Sequence, residues 1–222
     1  MVGNRLLQRI PLSGDTGGKV IIFAVAAFCC LFAPTGCGKG GKQSPEPLPV
    51  EEFRDGDLAF RRGMGLTSRA VLAADRRGAY SHVGILKQLD GTWCVIHAVP
   101  GESDTRSGEE RVKVDALDVF FARSRAASGA VMRVEAAQEQ ACRAAQRALA
   151  LYQAGVLFDH EYDLSDTVRM YCTELVEHVY KREGIDLSEG RRSRVDIPLF
   201  DGEYLLPHDI AQNEGLRVIY EF

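Results

Sequence analysis

The sequence predicts an α+β domain, an antiparallel sheet packed against helices, and three observations carry this reading. Two runs rich in β-branched and aromatic residues, Tyr80 to Leu86 and Thr92 to Ala98, flank an Asp90-Gly91 pair, the signature of a tight hairpin. Glu135 to Tyr152 is alanine-rich with strong helix formers throughout. Tyr171 to Glu183 returns to helical period and stops at Gly184. Strands followed by two helices and a closing strand favour helices against one antiparallel sheet over alternating βαβ units.

Taken in order, the chain opens with an address. Val20 to Ala33, VIIFAVAAFCCLFA, is an uncharged and mostly apolar run preceded by Arg5, Arg9 and Lys19. As a helix it would span roughly 21 Å at about 1.5 Å per residue, short of a hydrocarbon core of roughly 30 Å, so it reads as a signal-peptide core and not a permanent span. Pro34-Thr35-Gly36-Cys37 then resembles a bacterial lipobox, with Pro34 where leucine is usual. Residues 1–36 are therefore read as a lipoprotein signal peptide and Cys37 as the lipidated residue. Residues 37–49, rich in Gly, Pro, Ser and Lys, are read as a flexible tether, and residues 50–222 as one folded domain facing the periplasm or exterior. A net charge of -4 and a pI near 5.8 give no basic field for nucleic acid.

Within the domain, Asp55 to Phe60 (DGDLAF) enters an apolar run, and Leu66 to Ala74 is helical. Arg111 to Leu117 and Ala130 to Val134 are strands around a short helix at Leu117 to Arg123. Pro207 to Ile210 is a turn and Leu216 to Phe222 a closing strand. Three of the six cysteines, Cys94, Cys142 and Cys172, fall in this domain. An odd count in an exported protein marks a reactive thiol; a Cys94 to Cys142 disulfide would leave Cys172 alone.

Cys172 falls in the first turn of the second helix, where unpaired backbone N–H groups and the helix dipole favour thiolate and can hold an oxyanion. A packed core cysteine is the competing reading of this segment. A thiol nucleophile needs a base that also protonates a leaving group, the work of a histidine. His82 lies in the first hairpin strand with Gly84 two residues on, leaving room for another group. His97 lies in the partner strand, placed to orient the His82 ring.

The segments DGDLAF, YSHVGIL, VIHA, FDHEYDL, YCTELV and LLPHDI, in that order, resemble the permuted papain-fold amidases of the YaeF/YiiX type, relatives of the NlpC cell-wall peptidases. The resemblance covers Val50 to Phe222 and implies a circularly permuted papain-like fold in which histidine precedes cysteine. It implies Cys172 as nucleophile, His82 as general base and acid, and His97 as orienter, where relatives often carry glutamate. Thr173 stands where relatives commonly have serine, beside the oxyanion region. Tyr162 and Asp163 of FDHEYDL are read, with His160, as a polar loop shaping the substrate pocket, and Glu102 as a possible source of negative charge. His178 points away from the catalytic face, His208 is a turn residue, and Glu174 is a first-turn carboxylate.

The expected activity is amide hydrolysis on peptidoglycan peptides, without metal or cofactor. An acyl-lipid substrate, with the same Cys-His-His set acting as acyltransferase, thioesterase or lipase, is the alternative enzyme; a catalytically weak envelope binding module is the alternative without chemistry. Zinc held by His82, His97, Cys172 and either His160 or Asp163 lacks the close ligand spacings of zinc sites.

Overall fold

The computed structural model describes residues 47–75, 78–102, 108–135, 137–165, 168–196 and 201–222. The leader, Cys37 and the tether up to residue 46 lie outside these. Two units divide the chain, Met1–Lys42 and Gln43–Phe222, and the second holds everything described below. No helix among the described residues is long and apolar enough to cross a membrane.

Six strands form one antiparallel sheet. They are β1 (Leu58–Gly63), β2 (His82–Leu89), β3 (Thr92–Ala98), β4 (Val112–Ala116), β5 (Ala126–Val134) and β10 (Leu216–Glu221), in the order β10-β5-β1-β2-β3-β4. The predicted hairpin closes as expected: Asp90 and Gly91 both adopt positive φ, 48° and 80°, the conformation a two-residue primed turn requires. Helix α1 spans Leu66–Ala74, α2 Leu117–Phe120, α3 Gln138–Gln153, α4 Cys172–Lys181 and α5 Pro207–Ala211, the last where a turn was expected. Two short pairs that the sequence reading does not contain complete the fold, parallel β6 (Leu157–Phe158) with β7 (Arg169–Met170) and antiparallel β8 (Ser193–Val195) with β9 (Gly202–Tyr204).

The period-two alternation of the strands builds two cores. Leu58, Phe60, Val83, Ile85, Ile96 and Ala98 face α3 and α4, where Ala141, Ala144, Ala145, Ala148, Leu175, Val176 and Val179 meet them. The alanine stripe of α3 lets that helix lie close to its neighbours. Ala59, Leu86 and Val95 face the other way, onto Leu117, Phe120 and Phe121 from α2 and its C-terminal end, with Phe53. The intervening polar residues Arg61, His82 and His97 share this second face, since all three lie against the Phe120 ring.

The DGDLAF segment explains its own residues. Gly56 (φ 94°) is wedged against α3, where a Cβ would lie 2.4 Å from the Ala141 carbonyl oxygen, and its own carbonyl accepts the Tyr180 hydroxyl of α4 at 2.5 Å. Asp57, buried, takes a two-pronged pair from Arg133 of β5 at 2.8 and 2.7 Å. Cys94 and Cys142 are both free thiols, one buried in β3 and one exposed on α3, so the disulfide that the cysteine count allowed is absent. We predict that Gly56→Ala lowers unfolding free energy by about 2 to 3 kcal/mol, from overpacking plus an unfavourable φ. Urea denaturation followed by circular dichroism checks this, and an unchanged midpoint would contradict the close approach.

Candidate active site

The site forms where the first residues of β2 meet the N-terminus of α4. Tyr171 enters α4 in extended conformation, and Cys172 opens the helix. The backbone amides of Cys172 itself, Thr173 and Val83, the residue after His82, act on its sulfur in favour of the thiolate. Cys172 and His82 line one cavity of about 370 Å³, together with Arg61, Ser81, Arg125, Glu102, Tyr162 and Tyr171. Unpaired backbone N–H groups at the head of α4 are also donors of the kind an acyl-transfer oxyanion needs.

Behind His82 the chain of contacts runs inward. His82 Nε2 lies 2.9 Å from His97 Nδ1, and His97 Nε2 lies 3.2 Å from Asp115 Oδ2. Both imidazoles are buried, at 5% and 0% exposure. Gly84 makes this possible: a Cβ there would sit 2.4 Å from Val95 Cγ1 and 2.9 Å from the His97 Cβ, so only a glycine lets His97 lean across β2. Strand register places Lys113 opposite His97 and Asp115 opposite Val95, bringing both β4 side chains to the His97 face.

These contacts fix the tautomers. Burial pushes the Asp115 carboxyl up, but the His97 contact and then Lys113 outweigh it and hold the carboxyl well below the usual range, so it is ionised and only accepts. His97 therefore carries its proton on Nε2 and presents a lone pair at Nδ1. His82 then donates from Nε2, which leaves its Nδ1 as the lone-pair nitrogen. Asp115 is absent from the sequence reading, and its place in VKVDA, an ordinary alternating strand, gives no signal of this role.

Cations crowd the same pocket. Arg61, 3% exposed, pairs with Glu102 at 2.9 Å and lies 4.5 Å from the centroid of the Phe120 ring. Arg125 bridges Glu102 at 2.7 Å and Asp115 at 2.9 Å, and Lys113 reaches Asp115 at 3.2 Å. Glu102, offered above as a charge for the imidazole, is taken up by these arginines instead. Burial, followed by Arg61, His97 and Lys113, pushes the His82 ring well below its ordinary value, so it rests neutral. Burial likewise pushes the Cys172 thiol up to about 11, overriding its three N–H donors. The helix N-terminus thus acts on this thiol in the direction anticipated, and desolvation opposes it as the larger effect.

Of the weaker candidates, Tyr162 lines the cavity, edge-on to Tyr171 at 5.3 Å, in a left-handed backbone conformation (φ 56°). The buried Asp159 carboxylate creates that turn by accepting the N–H groups of Glu161 and Asp163 at 2.9 and 2.6 Å. Asp163 itself is exposed and binds Ser165, so it folds the loop without lining the cavity. Thr173 is fully buried and donates its hydroxyl to the Leu205 carbonyl at 2.6 Å, which ties α4 to the LLPHDI segment. Asp209 of that segment caps it from within, accepting the Leu206 N–H. His160 is exposed and paired with Glu110, away from this cavity.

A helix-borne thiol beside a sheet-borne imidazole, with the histidine earlier in the chain, defines a permuted papain-like cysteine hydrolase. The chain belongs to the permuted papain-like amidase family of the YaeF/YiiX type, peptidase family C92, whose sequence profile matches residues 52–194. Its fold is similar to that of metalloprotein yiiX from Escherichia coli O157:H7, with a TM-score of 0.62 and 21% identity over 77% of this chain and 98% of that one. No match was found among curated proteins. The donor set does not fit a metal: among the described residues no cluster of three His, Cys, Asp or Glu side chains can hold one. Both His97 nitrogens and Nε2 of His82 are already engaged.

We predict that iodoacetamide alkylation of Cys172 at neutral pH is slower than that of a model thiol and climbs as pH rises toward about 11. Mass-resolved labelling across pH checks this. A plateau already reached below neutrality would show a resting thiolate and contradict it.

Proposed function

We propose that this domain hydrolyses amide bonds of cell-wall-derived peptides through Cys172, with His82 as general base and then general acid. The observation that carries the reading is the buried line His82–His97–Asp115, which holds His82 in the tautomer that a base facing Cys172 requires. His82 Nδ1 removes the thiol proton as sulfur attacks the scissile carbonyl. Backbone N–H groups at the head of α4 receive the developing oxyanion, and His82 returns the proton to the leaving amine. Water then attacks the thioester with the same imidazole as base. Because both partners rest neutral, attack and proton transfer are coupled rather than preceded by an ion pair.

The acyl-lipid alternative keeps one observation in its favour. A second cavity of about 370 Å³ adjoins the first at Leu66, Thr67, Val71 and Tyr162, and is lined mainly by apolar residues including Ala70, Val195 and Leu206. Such a wall suits an acyl chain as well as an apolar side chain. We also propose that Cys37 carries the lipid that holds the domain at the bacterial envelope, which rests on the leader sequence alone.

Cys172→Ala and His82→Ala should each lower amine release from purified muropeptides by at least about 10³-fold, as removing a nucleophile or its base does. Full activity in either variant would sink the mechanism. Incubation with phospholipid should leave the mass of Cys172 unchanged; an acyl adduct there would move the substrate from peptide to lipid. Cys37→Ser should shift the protein from the membrane to the soluble fraction, and retention in the membrane would remove the lipid-anchor proposal.

A further inference from the structure

Two buried imidazoles in hydrogen-bond contact raise a question that a single catalytic histidine does not: which of them carries the charge once the thiol has given up its proton. Their surroundings differ. Around His82 lie Arg61 from β1, His97 from β3, Lys113 from β4 and the Phe120 ring from α2, with Cys172 of α4 on the cavity side. The charged groups among these are cations. His97 faces the same Arg61 and Lys113, but it also touches the Asp115 carboxylate at 3.2 Å. Arg125 and Glu102 complete the charged set, bound to Asp115 and to Arg61. While the sulfur carries no charge, a positive ring is therefore opposed from every charged neighbour at one position and paired at the other.

We propose that the proton removed from Cys172 is accommodated as an imidazolium at His97, against Asp115, and not at His82. The move needs no group from outside. Cys172 Sγ–H passes its proton to His82 Nδ1 while the bonding electron pair stays on sulfur. His82 passes its Nε2 proton across the 2.9 Å contact to His97 Nδ1. His97 keeps its Nε2 proton on Asp115. As that electron pair bonds sulfur to the scissile carbonyl, the result is a neutral His82 with its tautomer reversed and a His97–Asp115 ion pair. Protonating the leaving group runs the same two transfers backward. His97 is thus the seat of charge as well as the orienter, and Asp115 is a positioning residue acting through it.

This inference rests on the Cys172–His82 reading but is tested separately from it. Nitrogen-15 NMR of the histidine-labelled folded domain, titrated from about pH 8 to about pH 4, reads each ring nitrogen across the range in which histidine charges. The thiol stays protonated throughout, so the first proton taken up reports the preferred seat. The expected result is that His97 becomes doubly protonated first while His82 switches from an Nε2–H to an Nδ1–H ring. A first imidazolium at His82, or a proton shared equally, overturns the proposal. Asp115→Asn keeps an acceptor for His97 Nε2 but removes the charge. In that variant the first protonation should fall by about one pH unit or more, equivalent to at least about tenfold in affinity, and should no longer favour His97. An unshifted titration in folded Asp115→Asn also overturns the proposal. If that variant does not fold, the wild-type titration still decides. A titration as expected alongside full amidase activity in Cys172→Ala would instead fault the catalytic reading, leaving only His97 as the ring that charges first.

Discussion

A buried imidazole is useful as a base only if something fixes which nitrogen bears the proton, and here that instruction begins at the Asp115 carboxylate. Because Asp115 can only accept, His97 must donate to it; because His97 then has a lone pair at Nδ1, His82 must donate to that. Two hydrogen bonds of 2.9 and 3.2 Å thus translate one negative charge on the fourth strand into a lone pair on His82 at the mouth of the site. The same carboxylate anchors Lys113 and Arg125. Without it, three cations would surround two imidazoles with only Glu102 to answer them.

The sheet is arranged to deliver this line. Period-two alternation puts Arg61, His82 and His97 on the face away from α3 and α4, under the Phe120 ring, where water is excluded. Cys172 comes from the opposite side, carried by α4. The two halves meet at one cavity because His82 is the first residue of its strand, at the end of the sheet. Gly84 then sets the spacing inside the sheet, and Gly56 lets α3 and α4 seat closely enough for the helix N-terminus to arrive there.

Much of this is legible in the sequence where the physics is local. The Asp90-Gly91 hairpin and the helix at Leu66 to Ala74 follow from turn chemistry and periodicity, as do the helices around Ala145 and Val176. Cys172 and His82 stand out because their residue types suit one reaction, and His97 because a hairpin makes it a neighbour. Asp115 was invisible for the opposite reason: it is joined to His97 by tertiary register, and an acid in a half-buried strand looks like any outward residue. Thr173 and Asp163 show the complementary failure. Sequence position put them beside the site, but one hydroxyl is spent on Leu205 and one carboxylate on Ser165. The two-residue strands β6 and β7 carry no period that could be read at all.

The thiol shows most clearly what a local argument leaves out. A helix N-terminus stabilises a thiolate by roughly a few tenths to one kcal/mol when exposed, whereas removing the sulfur from water penalises the charged form at any position in the fold. Desolvation exceeds the dipole here, and the cations that could have rescued a thiolate are committed to Glu102 and Asp115. That arrangement has a chemical advantage in the oxidising compartment proposed for this domain, because oxidation and disulfide exchange both proceed through the thiolate. A thiol kept protonated until a carbonyl is in place is protected between turnovers, and the proton relay supplies the base at the moment of attack. Low resting reactivity and catalytic competence are then two consequences of one buried site.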